Sequence, residues 1–123
     1  MSCCGSCGDS APDTLPVPPE PGALVGFTTA DNTGLGVGAG DSITTGVRDT
    51  AIGVNAATAV TTENDVTAVG NNALAANTAS GNTAVGSGAL DVNTTGVRNT
   101  AVGLDALGAN LVAADNTAVG SSA

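Results

Sequence analysis

The sequence predicts an all-β protein, a parallel β-roll of about 17 residues per coil behind an extended N-terminal arm. Three observations carry this. A short core, Thr-(Ala/Gly)-(Leu/Ile/Val)-Gly, begins at Thr33, Thr50, Thr67, Thr83, Thr100 and Thr117, at spacings of 17, 17, 16, 17 and 17 residues. Gly and Thr in every copy, with Asn and Asp between, weigh against helix. All five prolines fall within residues 1–21, so that segment is set apart from the rest.

The arm comes first. Residues 1–21 contain CCGSCG followed by APDTLPVPPEP. Proline fixes φ and lacks an N–H, which favours an extended, polyproline-like course. The segment reads as an anchoring tether. Its P-x-x-P spacing also suits an aromatic-lined groove, although a stiff linker is the plainer reading. Cys4 and Cys7 have C-x-x-C spacing and Cys3 adjoins them. Structural zinc wants four ligands, and there is no second pair and no His. No metal site is therefore expected, and Cys3, Cys4 and Cys7 are the residues that come nearest to one. A plain anchoring tail and interchain disulfides are the other readings of these thiols.

Residues 22–123 are expected to form the roll. Aligning the repeats on their Thr gives columns. The third position holds Leu35, Ile52, Val69, Val85, Val102 and Val119. The fourth is always glycine: Gly36, Gly53, Gly70, Gly86, Gly103 and Gly120. The seventh is always alanine: Ala39, Ala56, Ala73, Ala89, Ala106 and Ala123. The eighth becomes leucine at Leu74, Leu90 and Leu107. The twelfth is mostly threonine and, carried one repeat back, reaches Phe27. Thr and the third-position aliphatic lie two apart, on one face of a strand. Each unit is expected to be one coil with two short strands and two turns, with Asn77, Asn93 and Asn110 in left-handed turn positions. The third-column aliphatics, with the eighth-column leucines and Phe27, are expected to fill the interior. The Gly and Ala columns are expected to form a flat face that another surface, a second copy of the chain, can approach closely.

Composition narrows the function classes. The formal net charge is −9, from 11 acidic residues against Arg48 and Arg98 alone, which excludes nucleic-acid binding and disfavours an anionic membrane surface. No apolar run is long enough to span a bilayer as a helix, and no secretory signal is recognisable, so synthesis and retention in cytoplasm, or release from it by lysis, are expected. With no His, a Ser-His-Asp arrangement is impossible, and no catalytic site or cofactor is expected. Asp41, Asp91 and Asp105 fall in turns, where they keep the rod soluble and lack any calcium-loop spacing. Arg48 and Arg98 share a column, each in TTGVR, and are expected to pair with turn carboxylates such as Asp49 and Asp115.

The stretches NTAVGSGAL and NTAVGLDAL resemble the YadA-like head repeat of trimeric autotransporter adhesins. The wording NTAVG…AL…NTTG is similar to the variant found in phage tail-fibre and other virion fibre proteins. The resemblance covers residues 22–123. It implies a left-handed parallel β-roll, three rolls packed about a shared axis, and an adhesive or virion-structural role without catalysis. The period is longer than that usual for bacterial adhesin heads, and the repeat is not accompanied here by a stalk or membrane-barrel pattern, so a virion part or a fragment of a longer fibre is expected. The expected function is a trimeric tail-fibre or capsid-attached protein of the virion. Its arm would contact other virion proteins, and its roll would contact a host receptor or glycan through amides, hydroxyls and backbone. The head of a bacterial cell-surface adhesin is the alternative, and an ice- or mineral-binding solenoid using its Thr columns is a third reading.

Overall fold

A computed structural model of the chain describes residues 26–28 and 31–123. The arm at 1–21, with Cys3, Cys4 and Cys7, lies outside the described residues, as does the side chain of Phe27. The described residues form an all-β parallel solenoid of about five turns, with no helix among them. Seven short strands make one sheet in sequence order: β1 (Gly26–Thr28), β2 (Thr33–Leu35), β3 (Thr50–Ile52), β4 (Thr67–Val69), β5 (Thr83–Val85), β6 (Thr100–Val102) and β7 (Thr117–Val119). From β2 to β7 pairing is parallel and in register, Thr on Thr, Ala or Gly on Ala, aliphatic on aliphatic. β1 instead runs antiparallel to β2, with Phe27 opposite Gly34, so Phe27 does not occupy the twelfth column of a stacked coil.

Each coil contains one strand, where two were expected. The second limb stacks too, but side chains replace much of its backbone ladder. The last column of the repeat, just before Thr, reads Asn32, Asp49, Val66, Asn82, Asn99 and Asn116. Its side-chain oxygens accept from the amide of the same column one coil on: Asn32 Oδ1 from Asp49 (2.8 Å), Asn82 Oδ1 from Asn99 (2.8 Å), Asn99 Oδ1 from Asn116 (2.9 Å). A second ladder runs beside it. Asn93 Nδ2 donates to Asn77 Oδ1 at 2.8 Å, and Asn110 Nδ2 to Asn93 Oδ1 at 3.1 Å. Asn82 Nδ2 joins the two ladders by donating to Asn77 Oδ1 at 2.9 Å. Asn77, Asn82, Asn93 and Asn99 are fully buried. Asn77, Asn93 and Asn110 are thus interior rungs rather than left-handed turn residues. A buried amide is stable only when paired, and the next coil supplies the partner.

Left-handed dihedrals fall elsewhere. They occupy the sixth column (Asn55, Asn72, Asp105), the eighth (Ala57, Leu74, Leu90, Leu107) and the position of Arg48, Asp65, Arg98 and Asp115. A leucine at positive φ costs on the order of 1–2 kcal/mol. The stack holds it there: the amides of Leu74 and Leu90 donate to Ala89 and Ala106 of the following coil, both at 3.0 Å. The single 16-residue coil, Thr67 to Asn82, loses its residue in the second limb. There Gly81, at φ 75°, takes the left-handed place, and Ser80 Oγ accepts from the amide of Asn64 at 3.0 Å.

The core is narrow. Its largest fully buried side chains are Leu74, Leu90, Val60, Val66, Asp49 and the asparagines. The rest is alanine: Ala51, Ala68, Ala84 and Ala101 from the strand centres, and Ala39, Ala56, Ala73, Ala89 and Ala106 from the seventh column. From Ala39 to Ala106 the seventh column therefore packs inside its own roll and offers nothing to a second copy. The glycine column, half-buried from Gly36 to Gly103, is taken up by close stacking of one coil on the next. Gly53 has φ 125°, and a Cβ placed there would stand 2.6 Å from the Gly70 carbonyl oxygen of the next coil. Gly53→Ala is expected to destabilise the fold by about 2–4 kcal/mol in urea unfolding, while Ser87→Ala, on an exposed turn, leaves the midpoint unchanged.

Candidate functional site

The sheet has one face toward the core and one toward solvent, and three-residue strands fix which side chains go where. In β2 to β6 the central residue is buried, and the flanking Thr and aliphatic point the other way. The third-column aliphatics, expected inside, therefore lie on the outer face: Leu35, Val85, Val102 and Val119 are exposed, Ile52 and Val69 half-buried. The reason is volume. The eighth-column leucines and the second-limb Asn, Val and Ile side chains already fill the interior, leaving room at the strand centre for a methyl group only. Alternation along the strand could not reveal this, because both faces of Thr-Ala-Val-Gly carry an apolar residue.

The outer face is consequently a strip of Thr and aliphatic ladders along the rod. Six in-register strands at about 4.8 Å spacing give it a length of about 24 Å. Val37, Val54 and Leu104 widen it at the fifth position, at 62%, 46% and 53% exposure. Thr33 and Thr117 are exposed and Thr50, Thr67, Thr83 and Thr100 half-buried, so the aliphatic stripe is bordered by hydroxyls. A continuous apolar strip of this kind marks an interaction surface. It is also uncharged, and nothing along its rungs resists the approach of a like surface.

None of the columns that make the strip carries a charged residue. Arg48 binds Asp65 through Nε–Oδ1 (2.6 Å) and Nη2–Oδ2 (2.9 Å), and Arg98 binds Asp115 with the same geometry. Both pairs join the same column of successive coils. The partner of Arg48 is Asp65 rather than its neighbour Asp49, because Asp49 faces inward and is buried. The guanidinium hydrogen bond holds each carboxyl, Asp65 and Asp115, below the usual range. All four side chains are more than half exposed, so these clamps align coils more than they stabilise them. Asp41 and Asp105 are exposed and Asp91 half-buried, and no cluster of three metal-ligating side chains forms among the described residues. Among those residues no helix is long and apolar enough to cross a membrane.

The chain has no significant match among family models, curated proteins or solved structures.

The assignment of faces is directly testable. Ala101→Val overpacks the interior and is expected to cost about 1–3 kcal/mol in thermal or urea unfolding. Val102→Thr, isosteric and on the outer face, is expected to cost well under about 1 kcal/mol in the unassociated roll. The reverse ranking would put the valine inside.

Proposed function

We propose that the chain is a non-enzymatic structural protein of a virion, part of a trimeric tail fibre or capsid-attached fibre, whose rolls associate through the Thr-aliphatic face. The exposed aliphatic ladder carries the reading. The alanine-rich interior buries little apolar surface per residue, while the ladder Leu35, Ile52, Val69, Val85, Val102 and Val119 leaves apolar area in water. Covering it contributes about 25 cal/mol per Å². Two further rolls about a common axis would supply that cover. The left hand of the roll, the threefold axis and the virion role rest on the resemblance to fibre and adhesin-head repeats described above. Residues 1–21 then serve as the attachment to other virion proteins. The loops, rich in Asn, Asp and Thr, are the parts available for a host receptor or glycan.

Light scattering coupled to gel filtration tests the association. The chain is expected to run at three times its 11.5 kDa mass at micromolar concentration. The double variant Val85→Asp/Val102→Asp should run at one times that mass with its β dichroism retained, and a monomeric parent would overturn the reading. Immunogold labelling then tests the role. Gold on fibres of purified particles supports the virion assignment, and gold confined to a bacterial envelope supports the adhesin head instead.

A further inference from the structure

One buried side-chain polar atom stands without a partner among the described residues, Asp49 Oδ2. It lies in the column of interior asparagines, and its surroundings show what it lacks. In three coils the asparagine of that column uses both ends of its amide. Its Oδ1 takes the next coil's amide, and its Nδ2 donates to the carbonyl fourteen residues ahead: Asn32 to Gly46 (2.6 Å), Asn82 to Gly96 (2.8 Å), Asn99 to Ala113 (2.9 Å). Asp49 reproduces the first half, since Oδ1 accepts from the Val66 amide at 2.9 Å. The carbonyl fourteen residues ahead of it belongs to Glu63, which receives no hydrogen bond from a described residue. Glu63 O and Asp49 Oδ2 converge on one point, the place a Cβ on Gly46 would occupy, where Asp49 Oδ2 lies 2.6 Å away.

Two oxygens thus meet where the coils closed or flanked by Asn32, Asn82 and Asn99 have an N–H facing an oxygen. An ionised carboxylate would be unpaired and repelled by the carbonyl dipole, and Asp49 is only 1% exposed. A proton on Oδ2 restores the missing donor. We propose that Asp49 stands in the ladder as a neutral carboxylic acid whose Oδ2–H donates to the Glu63 carbonyl, making the joint between coils 33–49 and 50–66 sensitive to pH. No other rung of the ladder has this dependence, because asparagine and valine do not titrate.

The charges around it fit. From the coil ahead come Glu63 and Asp65, and beside it Arg48. The Glu63 carboxylate is turned to the amides of Thr61 (2.6 Å) and Thr62 (3.0 Å), and Asp65 is clamped by Arg48, so neither supplies a proton donor to Asp49. From the coil behind come Asn32, whose Oδ1 receives the Asp49 amide, and Asp31 near Arg48. Burial first, and then the Asp65 and Glu63 charges, push the Asp49 carboxyl up, against the opposing pull of the Val66 amide and Arg48.

The sign follows. A carboxyl that keeps its proton more tightly folded than unfolded carries no penalty below the ordinary Asp range, near pH 4. It destabilises the fold progressively as pH rises from there through its raised folded value. Asp49→Asn restores the donor at every pH and repeats the residue of Asn32, Asn82 and Asn99, so it should fold. On the full chain, melting temperatures of parent and D49N measured from pH 3.5 to 8 are expected to coincide at the acid end. They should diverge by about 4–8 °C in favour of D49N at the alkaline end. Infrared difference spectra, parent minus D49N, are expected to show a protonated carboxyl band at pH 5. Parallel melting profiles, or a carboxylate band at pH 5 in that difference, would overturn the proposal.

Discussion

No coil of this protein can satisfy its own backbone; each depends on a neighbour one period away. The Thr that opens each strand donates its amide to the residue one turn on, immediately before the next strand, as Thr83 does to Asn99 at 2.9 Å. The glycine after each strand donates backwards, as Gly103 does to Val85 at 2.8 Å. A coil is therefore clamped from both sides by bonds that exist only when the period is kept. Stability in such an array grows by neighbour contacts rather than by a central core. This explains why the 16-residue coil takes its deletion in the turn-rich limb: a shift in the strand would break both clamps, whereas Gly81 and Ser80 absorb it locally.

The same constraint governs composition. Coils at strand spacing leave no depth for large side chains, so alanine fills the sheet side of the interior and leucine appears only in the eighth column. The far side is filled by polar groups. Asparagine suits it because one side chain offers both a donor and an acceptor, and a ladder of identical amides satisfies both at every rung. Where the ladder is interrupted the substitution is paired. Val66 replaces asparagine in the closing column and Val60 replaces it in the neighbouring one, both fully buried within one coil. Coil 33–49 carries the mixed pair, Ile43 with Asp49, and the unpartnered oxygen lies there. A half-satisfied polar site is the costly case, and its resolution by a proton is the least structural change available.

Much of the architecture was legible in the letters. The recurrence of Thr-Ala-Val-Gly at 16 or 17 residues set the coil length and the Thr-on-Thr register, and the glycines and asparagines ruled out helix. What the letters did not disclose was parity. In a three-residue strand both faces are apolar, and residue size suggested Val85 inside and Ala84 out, the opposite of the structure. By sequence the Gly and Ala columns suggest a surface for another molecule. Gly53 instead admits the Gly70 carbonyl, and Ala56 fills the roll it belongs to. The asparagines suggest turn formers because that is a common use of the residue. A signal was present, since Asn82, Asn99 and Asn116 recur in strict column with no special-φ residue required there, but only an end-on view of the coil shows that this column points inward. The candidate surface follows from that inversion, for a valine displaced from the core is a valine left on the outer face.

The central claim, that each coil is bonded to the next at the repeat period, is open to one direct measurement. Scalar couplings across hydrogen bonds, recorded by NMR on isotopically labelled protein, identify each amide's carbonyl acceptor. The account predicts couplings from Thr50 to Val66, Thr67 to Asn82, Thr83 to Asn99 and Thr100 to Asn116, 15 or 16 residues ahead along the chain. Couplings confined to acceptors three or four residues back, or to a different register between coils, would contradict it.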